Sequence, residues 1–465
     1  RGEGRQGRRK AKDMTGESTS AQVPERDRQA EEDLWQRYKA ERGVWTEPML
    51  AALAGGMKDK KWLSLADKIQ SDRTLGLAWE KVRANAGVCG VDGITVERFA
   101  KDSQARLLAV KEHLRGGSYQ PRPVKRKWIP KAGSAEKRPL GIPTVTDRVV
   151  QAAVKMGIEP VFESRFHPGS HGFRPGRGCK DALREVQNRL EAGALFVVDV
   201  DIKGYFDTIP HDRLLARVRE RIADGKVLGW IEGFLKQGVM EGTDWQAAKE
   251  GTPQGGVISP LLANIYLDAL DWKMGEAGYE MTRYADDMVV ICRSRDEADA
   301  ALQTLGEWMV EAGLTLHPEK TRVVDLNLTG SHFDFLGYRF MRSRRGNVMK
   351  LVRPKSLRKL RESIKPLTRR NSGKSMEEMC RLINRILRGW YGYFKHARKS
   401  EHRAVDQWVR TRLRSILRKR KGLKGTGRGA DHQRWPIRYF TGLGLFCLED
   451  ARRPEVASLH KGANC

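Results

Sequence analysis

Paired cysteines are absent from this sequence. Its six cysteines, Cys89, Cys179, Cys292, Cys380, Cys447 and Cys465, are scattered singly, which argues against zinc knuckles and a disulfide scaffold and fits a reducing cytoplasm. Long apolar runs are absent too. No stretch approaches the roughly 18 residues of a membrane span, and the first residues are polar rather than a charged stub followed by an apolar core. The expectation is a protein neither exported nor inserted into a membrane. Acidic residues are scarce in one region: from Met341 to Ala430 there are 29 Lys and Arg against 5 Asp and Glu, so +24 of the chain's +29 sits there. A solvated helix face would intersperse both signs. A nearly single-signed stretch in a chain of pI about 10.0 points to a polyanion as partner, with nucleic acid the first candidate.

At 465 residues the chain has room for about two to four domains. Residues 1–29 are mostly Gly, Arg, Glu and Ser with few large apolar side chains, and read as a flexible basic tail. From Ala30 to about Leu114 the apolar spacing is helical, with Leu34, Leu65, Ile69 and Leu75 among charged neighbours. The glycines of Gly87 to Thr95 interrupt it with a loop. Pro121 to Pro143 is basic and proline-rich, with short apolar pieces that suit a hairpin, and a helix follows from about Thr146 to Glu163. Ala194 to Ile202, ALFVVDVDI, is a β-prone run, and Asp207, Pro210 and Asp212 after it suit a helix start. Tyr279 to Tyr284 and Met288 to Cys292 read as a second strand pair. Beyond Lys350 the pattern is helical and basic, ending in the Gly-rich stretch Gly422 to Gly429, and no internal repeat is evident.

Two features carry chemistry. Side chains alternate along a strand, so Val197, Asp199 and Asp201 share one face while Phe196, Val198, Val200 and Ile202 share the other. Asp201 stands at the strand's end, open to metal and solvent, although an Asp in this position also serves as a helix cap. Asp286 and Asp287 fall at the tip of the second strand pair, where adjacent aspartates are also ordinary turn residues. Taken together, a strand-end Asp and a hairpin-tip pair can supply what nucleotidyl transfer needs: separated carboxylates converging on two divalent cations about 3.5–4 Å apart. One cation lowers the pKa of an attacking 3′-hydroxyl, the other stabilises the pyrophosphate, and oxygen ligands suit Mg²⁺.

An ordered set of motifs extends this reading: NAGVCGVDGIT from Asn85, IPKAGSAEKRPLGIPTVTDRVVQ from Ile129, SHGFRPGRGCKDAL from Ser170, VDVDIKGYFDTIPHD from Val198 and GTPQGGVISPLLANIYLDALD from Gly251. RYADD from Arg283, LHPEKTRVV from Leu316, FDFLGYRF from Phe333 and LINRILRGWYGYF from Leu382 follow. From Asn85 to Leu448 the chain resembles the reverse transcriptases encoded by bacterial group II introns. The resemblance implies an α+β right-hand polymerase with an antiparallel palm sheet, fingers of helices and a hairpin, a helical thumb and a small basic C-terminal domain. It implies boundaries of 1–29 for the tail, 30–125 for an N-terminal extension and the start of the fingers, and 126–345 for fingers and palm. The thumb would take 346–410 and a basic DNA-binding region 411–465.

The same resemblance makes Asp201, Asp286 and Asp287 the catalytic metal ligands, for two Mg²⁺ with Mn²⁺ as a substitute. Phe206 becomes a steric gate against a ribose 2′-hydroxyl, and Lys131, Arg138 and Gln254 become contacts to the incoming deoxynucleotide. Lys320 falls in matched text without an assigned role. Arg385, Arg388 and Lys395 become contacts to intron RNA, while Trp390, Tyr391, Tyr393 and Phe394 beside them suit core packing. Asp199 is expected to be a neighbour only. The implied partners are group II intron RNA, target DNA and deoxynucleotides, without a membrane, in a bacterial cytoplasm and at the nucleoid when acting on DNA. The sequence ends at Cys465 without the paired cysteines of a His-Asn-His endonuclease, so second-strand cleavage is not expected and mobility would borrow a primer, for instance at a replication fork. Other readings are a domesticated relative serving repair, phage defence or a CRISPR array, and a splicing cofactor with a dead polymerase site. No carboxylate or fingers cation is missing, which favours the enzyme over the dead site.

Overall fold

The structure is a computed structural model, and it describes residues 44–54, 61–130 and 137–452. The expected tail, residues 30–43 of the expected helical segment, and Lys131 lie outside the described residues.

A four-stranded antiparallel sheet in the order β6-β7-β3-β8 carries the aspartates. Its strands are β3 (Phe196–Asp201), β6 (Glu280–Tyr284), β7 (Asp287–Cys292) and β8 (Arg322–Asp325). The alternation expected along β3 is real, but both faces are covered. Val198 and Val200 join Met288 and Val290 in one core, while Val197 joins Val289, Ile291 and Val324 in another. Burial on both faces explains why the strand reads as a continuous apolar run broken only by its aspartates.

Helices flank the sheet, all but α4 building the first core: α1 (Asp72–Asn85), α2 (Ser103–Arg115), α3 (Val145–Glu163), α4 (Cys179–Glu191), α5 (His211–Arg219), α6 (Gly225–Lys236), α7 (Ser259–Glu276) and α8 (Arg295–Glu311). Of these, α4 alone packs its apolar face, Ala182, Leu183, Val186 and Leu190, on the opposite side of the sheet. The side chains of Ser71, Thr144 and Ser294 accept hydrogen bonds from the third residue of α1, α3 and α8, satisfying donors that a helix start leaves unpaired. The basic proline-rich segment forms the expected hairpin, β1 (Val124–Pro130) with β2 (Lys137–Ile142). Two short strands, β4 (Val239–Glu241) and β5 (Asp244–Gln246), extend that sheet.

A third sheet, β9 (His332–Phe335), β10 (Tyr338–Arg342) and β11 (Val348–Val352), closes over the second core with Phe333, Phe335, Tyr338 and Phe340. Beyond it α9 (Pro354–Ile364), α10 (Met376–Phe394) and α11 (Lys399–Arg420) enclose a third core. The aromatic cluster is core, as expected: Tyr391 and Phe394 are buried, and Trp390 and Tyr393 pack half-buried against them.

The expected boundaries cut through elements. A boundary after 125 falls inside β1, and one after 345 separates β11 from the β10 partner it pairs with from Tyr338↔Val352 to Arg342↔Val348. One after 410 severs α11, whose Asp406 accepts hydrogen bonds from the Leu448 and Glu449 backbone. Residues 435–448 share one core with α9 to α11, so the C-terminal helical region is a single packed unit. Basic composition changes gradually along this stretch, and composition cannot report which side chains share a core.

Candidate active site

The site is assembled at one end of the central sheet. Pairing sets Asp201 opposite Asp287, the last pair in the β3–β7 ladder, and directly opposed residues point to the same face. Asp286 occupies the two-residue turn between Tyr284 and Asp287, which are themselves paired. The preceding turn residue, Ala285, has φ +60°, the left-handed conformation that tight hairpins require and that side chains other than glycine resist.

A buried network enforces that turn. Arg283 is 0 % and Asp271 1 % exposed. The guanidinium donates to both Asp271 carboxylate oxygens at 2.7 and 2.5 Å, to Asn264 Oδ1 at 3.0 Å, to the Ala285 carbonyl at 2.9 Å and to Ser170 Oγ at 2.8 Å. Burial opposes its charge, but the Asp271 carboxylate more than offsets this and raises its pKa. The segment Gly169 to Gly172 runs beside β6: the Arg283 N–H donates to the Gly169 carbonyl, and the His171 N–H to the Arg283 carbonyl. Gly172 lies so close that a Cβ there would come within 2.2 Å of the Ala285 nitrogen, which explains the glycine of SHGFRPG.

Crowding of like charge is the electrostatic signature. Burial, then Asp199 and Asp286, push the Asp287 carboxyl up to about 7, against a hydrogen bond from the Leu336 backbone that lowers it. Asp286 is raised by burial and by Asp201, with Arg138 and Arg283 acting the other way. Asp199, the expected neighbour, is pushed up to about 6 by burial despite Arg322 at 3.5 Å. Asp201 is half-exposed, and its Oδ2 receives Lys320 Nζ at 2.7 Å. Among the described residues no three carboxylates, histidines or cysteines already converge as a cation site. The donor set nonetheless fits hard divalent cations. It is all oxygen, and burial with like charge nearby raises Asp286 and Asp287, a crowding that a divalent cation would relieve.

The nucleotide-contact candidates are knit to the same end. The Gly141 N–H donates to the Gln254 carbonyl at 2.7 Å, and the Thr252 N–H donates to the Phe206 carbonyl at 2.7 Å. Hydrogen bonds thus tie the hairpin bearing Arg138, the TPQGG loop and the turn after β3 together. Phe206 is half-buried, with its ring 5.5 Å from that of Tyr205. The side chain of Gln254 donates to Asp207 Oδ2 at 3.0 Å. By contrast, Arg385 and Arg388 stand exposed on α10, where with Arg381 they line a hollow against Leu443 and Gly444. The Arg388 guanidinium lies 4.9 Å from the centre of the Phe446 ring, and Lys395 follows α10 half-buried.

Sequence reasoning missed Arg283, Asp271 and Lys320 as parts of this site. Each lies in a motif that was singled out, but no spacing rule pairs Arg283 with Asp271 across a helix and a strand. Nor did it foresee that Tyr393 Oη donates to the Leu336 carbonyl at 2.7 Å, linking α10 to the turn whose N–H reaches Asp287.

Comparison with known proteins bears directly on this arrangement. A model described as "Reverse transcriptase (RNA-dependent DNA polymerase)" matches residues 129–340, and one for the "Group II intron, maturase-specific domain" matches residues 357–435. Protein YkfC of Escherichia coli (strain K12) is 34% identical over 297 residues, covering 55% of this chain and 76% of YkfC. The chain belongs to the group II intron reverse transcriptase and maturase family. Among its relatives, the group II intron-encoded protein LtrA of Lactococcus lactis subsp. cremoris is 40% identical over 197 residues, 42% of this chain and 32% of LtrA. An uncharacterized 91 kDa protein in the cob intron of Schizosaccharomyces pombe is 35% identical over 197 residues, 42% of this chain and 24% of that protein. The match thus spans three quarters of YkfC but about a third of LtrA. Divalent cations, typically Mg²⁺, serve reverse transcriptases generally, in keeping with the all-oxygen donor set.

Proposed function

We propose that this chain extends a DNA primer along an RNA template by metal-dependent nucleotidyl transfer, and that it also binds group II intron RNA as a splicing maturase supporting intron mobility. The observation that carries the polymerase reading is the register that sets Asp201 opposite Asp287 with Asp286 at the adjoining turn. In a right-hand arrangement the sheet β6-β7-β3-β8 is the palm. The β1–β2 hairpin with the helices around it forms the fingers, and α9 to α11 form the thumb. Asp201, Asp286 and Asp287 would hold two Mg²⁺, or Mn²⁺ in substitution, which when bound would lower the pKa of the primer 3′-hydroxyl and stabilise the pyrophosphate leaving group.

The chain's own groups do the rest. Arg138 and Lys131 neutralise the triphosphate, the planar guanidinium matching two phosphate oxygens at once. Gln254, steadied by Asp207, orients the incoming nucleotide, and Phe206 fills the space a 2′-hydroxyl would take. Arg283 works indirectly, holding the turn that presents Asp286. On α10 the exposed arginines Arg385 and Arg388, with Lys395 beyond them, suit the phosphates of intron RNA, with target DNA and deoxynucleotides as the other partners.

Primer extension on an RNA template with Mg²⁺ tests this. Wild type should extend, and Asp286→Ala and Asp287→Ala should lose extension while still binding RNA. Absence of extension by wild type would sink the polymerase reading.

A further inference from the structure

A second basic surface lies away from the carboxylates. A cavity of about 1220 Å³ opens at the junction of the β10–β11 hairpin, the β8–β9 loop and the α10–α11 connection. Among the described residues six cations line it, Arg342, Arg344, Arg345, Lys350, Arg398 and Arg452, with His396 beside them and no Asp or Glu. It exceeds the roughly 300–1,000 Å³ of a small-molecule pocket, and its shape is that of an open groove suited to a polymer segment.

Some of the cations are structural. Arg342 donates to the Gly346 carbonyl at 2.9 Å and to Asn327 Oδ1 at 2.8 Å, which joins the hairpin to the β8–β9 loop and builds one wall. Lys350 donates to Gln187 Oε1 at 2.5 Å on α4 and is half-buried. Arg344 and Arg345 differ. They stand exposed on the turn between β10 and β11, where the Gly346 N–H donates to the Ser343 carbonyl and fixes the turn. Leu328, 64% exposed, adds an apolar contact at the rim.

The groove is not the catalytic cleft. The β9–β10 turn at Leu336 and Gly337 reaches Asp287 through the Leu336 N–H. Arg342 is six residues further along an extended strand, roughly 20 Å away at about 3.3 Å per residue, and Arg344 and Arg345 lie beyond it. These charges therefore lie beyond the reach of a nucleotide and primer end seated on the aspartates.

We propose that this groove is an accessory docking site for the phosphate backbone of RNA, gripping structured RNA outside the polymerase cleft. The inference deepens the maturase reading and rests on it for RNA as the occupant. Charge complementarity supplies the attraction: among the described residues the groove is lined by six cations and no acid, which favours a polyanion, and the exposed guanidiniums of Arg344 and Arg345, without a partner among those residues, can form two-pronged hydrogen bonds to phosphate.

The test uses the full chain and the double variant Arg344→Glu with Arg345→Glu, both on an exposed turn. Binding of a structured RNA stem-loop of about 60 nucleotides is measured across salt concentrations, and primer extension on a short template–primer is measured in parallel. The expected result is a tenfold or greater loss of stem-loop affinity at about 0.1 M salt, with a salt dependence shallower by about one to two in log–log slope. Extension should be unchanged. Stem-loop affinity equal to wild type overturns the inference while leaving the polymerase reading intact, and so does a loss confined to a DNA duplex of matched length. Equal losses in stem-loop binding and in short-template extension also overturn it, because the groove would then belong to the cleft. Failure of wild type to extend a primer bears on the polymerase reading alone.

Discussion

At the residue scale the site depends on groups that never touch a substrate. Arg283 and Asp271 form a fully buried ion pair, and removing one partner of such a pair leaves an uncompensated charge at a cost of about 3–5 kcal/mol. Arg283→Met should therefore lower the urea midpoint markedly and abolish extension, because the Ala285 turn loses its clamp. Unchanged stability would show that the pair is not buried as described. Phe206 makes a different kind of prediction. With its ring supported by Tyr205 and the core behind it, Phe206→Ala should leave deoxynucleotide addition largely intact. Ribonucleotide incorporation should rise by roughly tenfold or more, measured as the ratio of kcat/KM for the two sugars, and an unaltered ratio would remove Phe206 from the gate.

At the element scale the β6–β7 hairpin and its β3 partner form a charge-stressed unit. Asp287 at about 7 and Asp199 at about 6 are raised well above the unfolded value of about 3.9. Asp268, pushed to about 7 by burial and the nearby Asp271, behaves alike. The folded chain therefore binds protons that the unfolded chain releases. This contribution to stability is complete below about pH 4 and is lost as pH rises through 6 to 7. In metal-free protein the melting temperature should fall from pH 5.5 to 8, Asp287→Asn should reduce that fall, and Mg²⁺ should restore stability chiefly at the higher pH. A melting curve equally pH-dependent in Asp287→Asn would refute the origin assigned here.

At the scale of the whole molecule, the positive charge is distributed over two surfaces at least, the arginine stripe of α10 and the groove beside the β10–β11 turn. Several phosphates neutralised at once make affinity fall steeply with salt, by about 10³–10⁵ between 50 and 200 mM for six to ten contacts. RNA affinity should follow that dependence, and a flat response would mean that the segment from Met341 to Ala430 is not the contact. One chain of contacts also runs from the helical region to the site: Tyr393 on α10 bonds the Leu336 turn, and Leu336 bonds Asp287. The helical region beyond β11 is thereby coupled to the carboxylates.

The sequence by itself determined the local elements and the chemistry they carry. The apolar run around Val198 and Val200, the hairpin-tip aspartates and the proline-rich β1–β2 hairpin were legible because strand alternation, turn residues and charge are local properties. The roles proposed for them rest on the order of the motifs, which resembles that of the family. Only the tertiary structure decided which other distant residues meet: Asp201 with Lys320, Arg283 with Asp271, Gly172 against Ala285, and α11 with the segment after Trp435 rather than a boundary at 410. Such pairings depend on the register of strands and the packing of buried faces, which are set by the whole chain at once and leave no spacing for a local reading to detect.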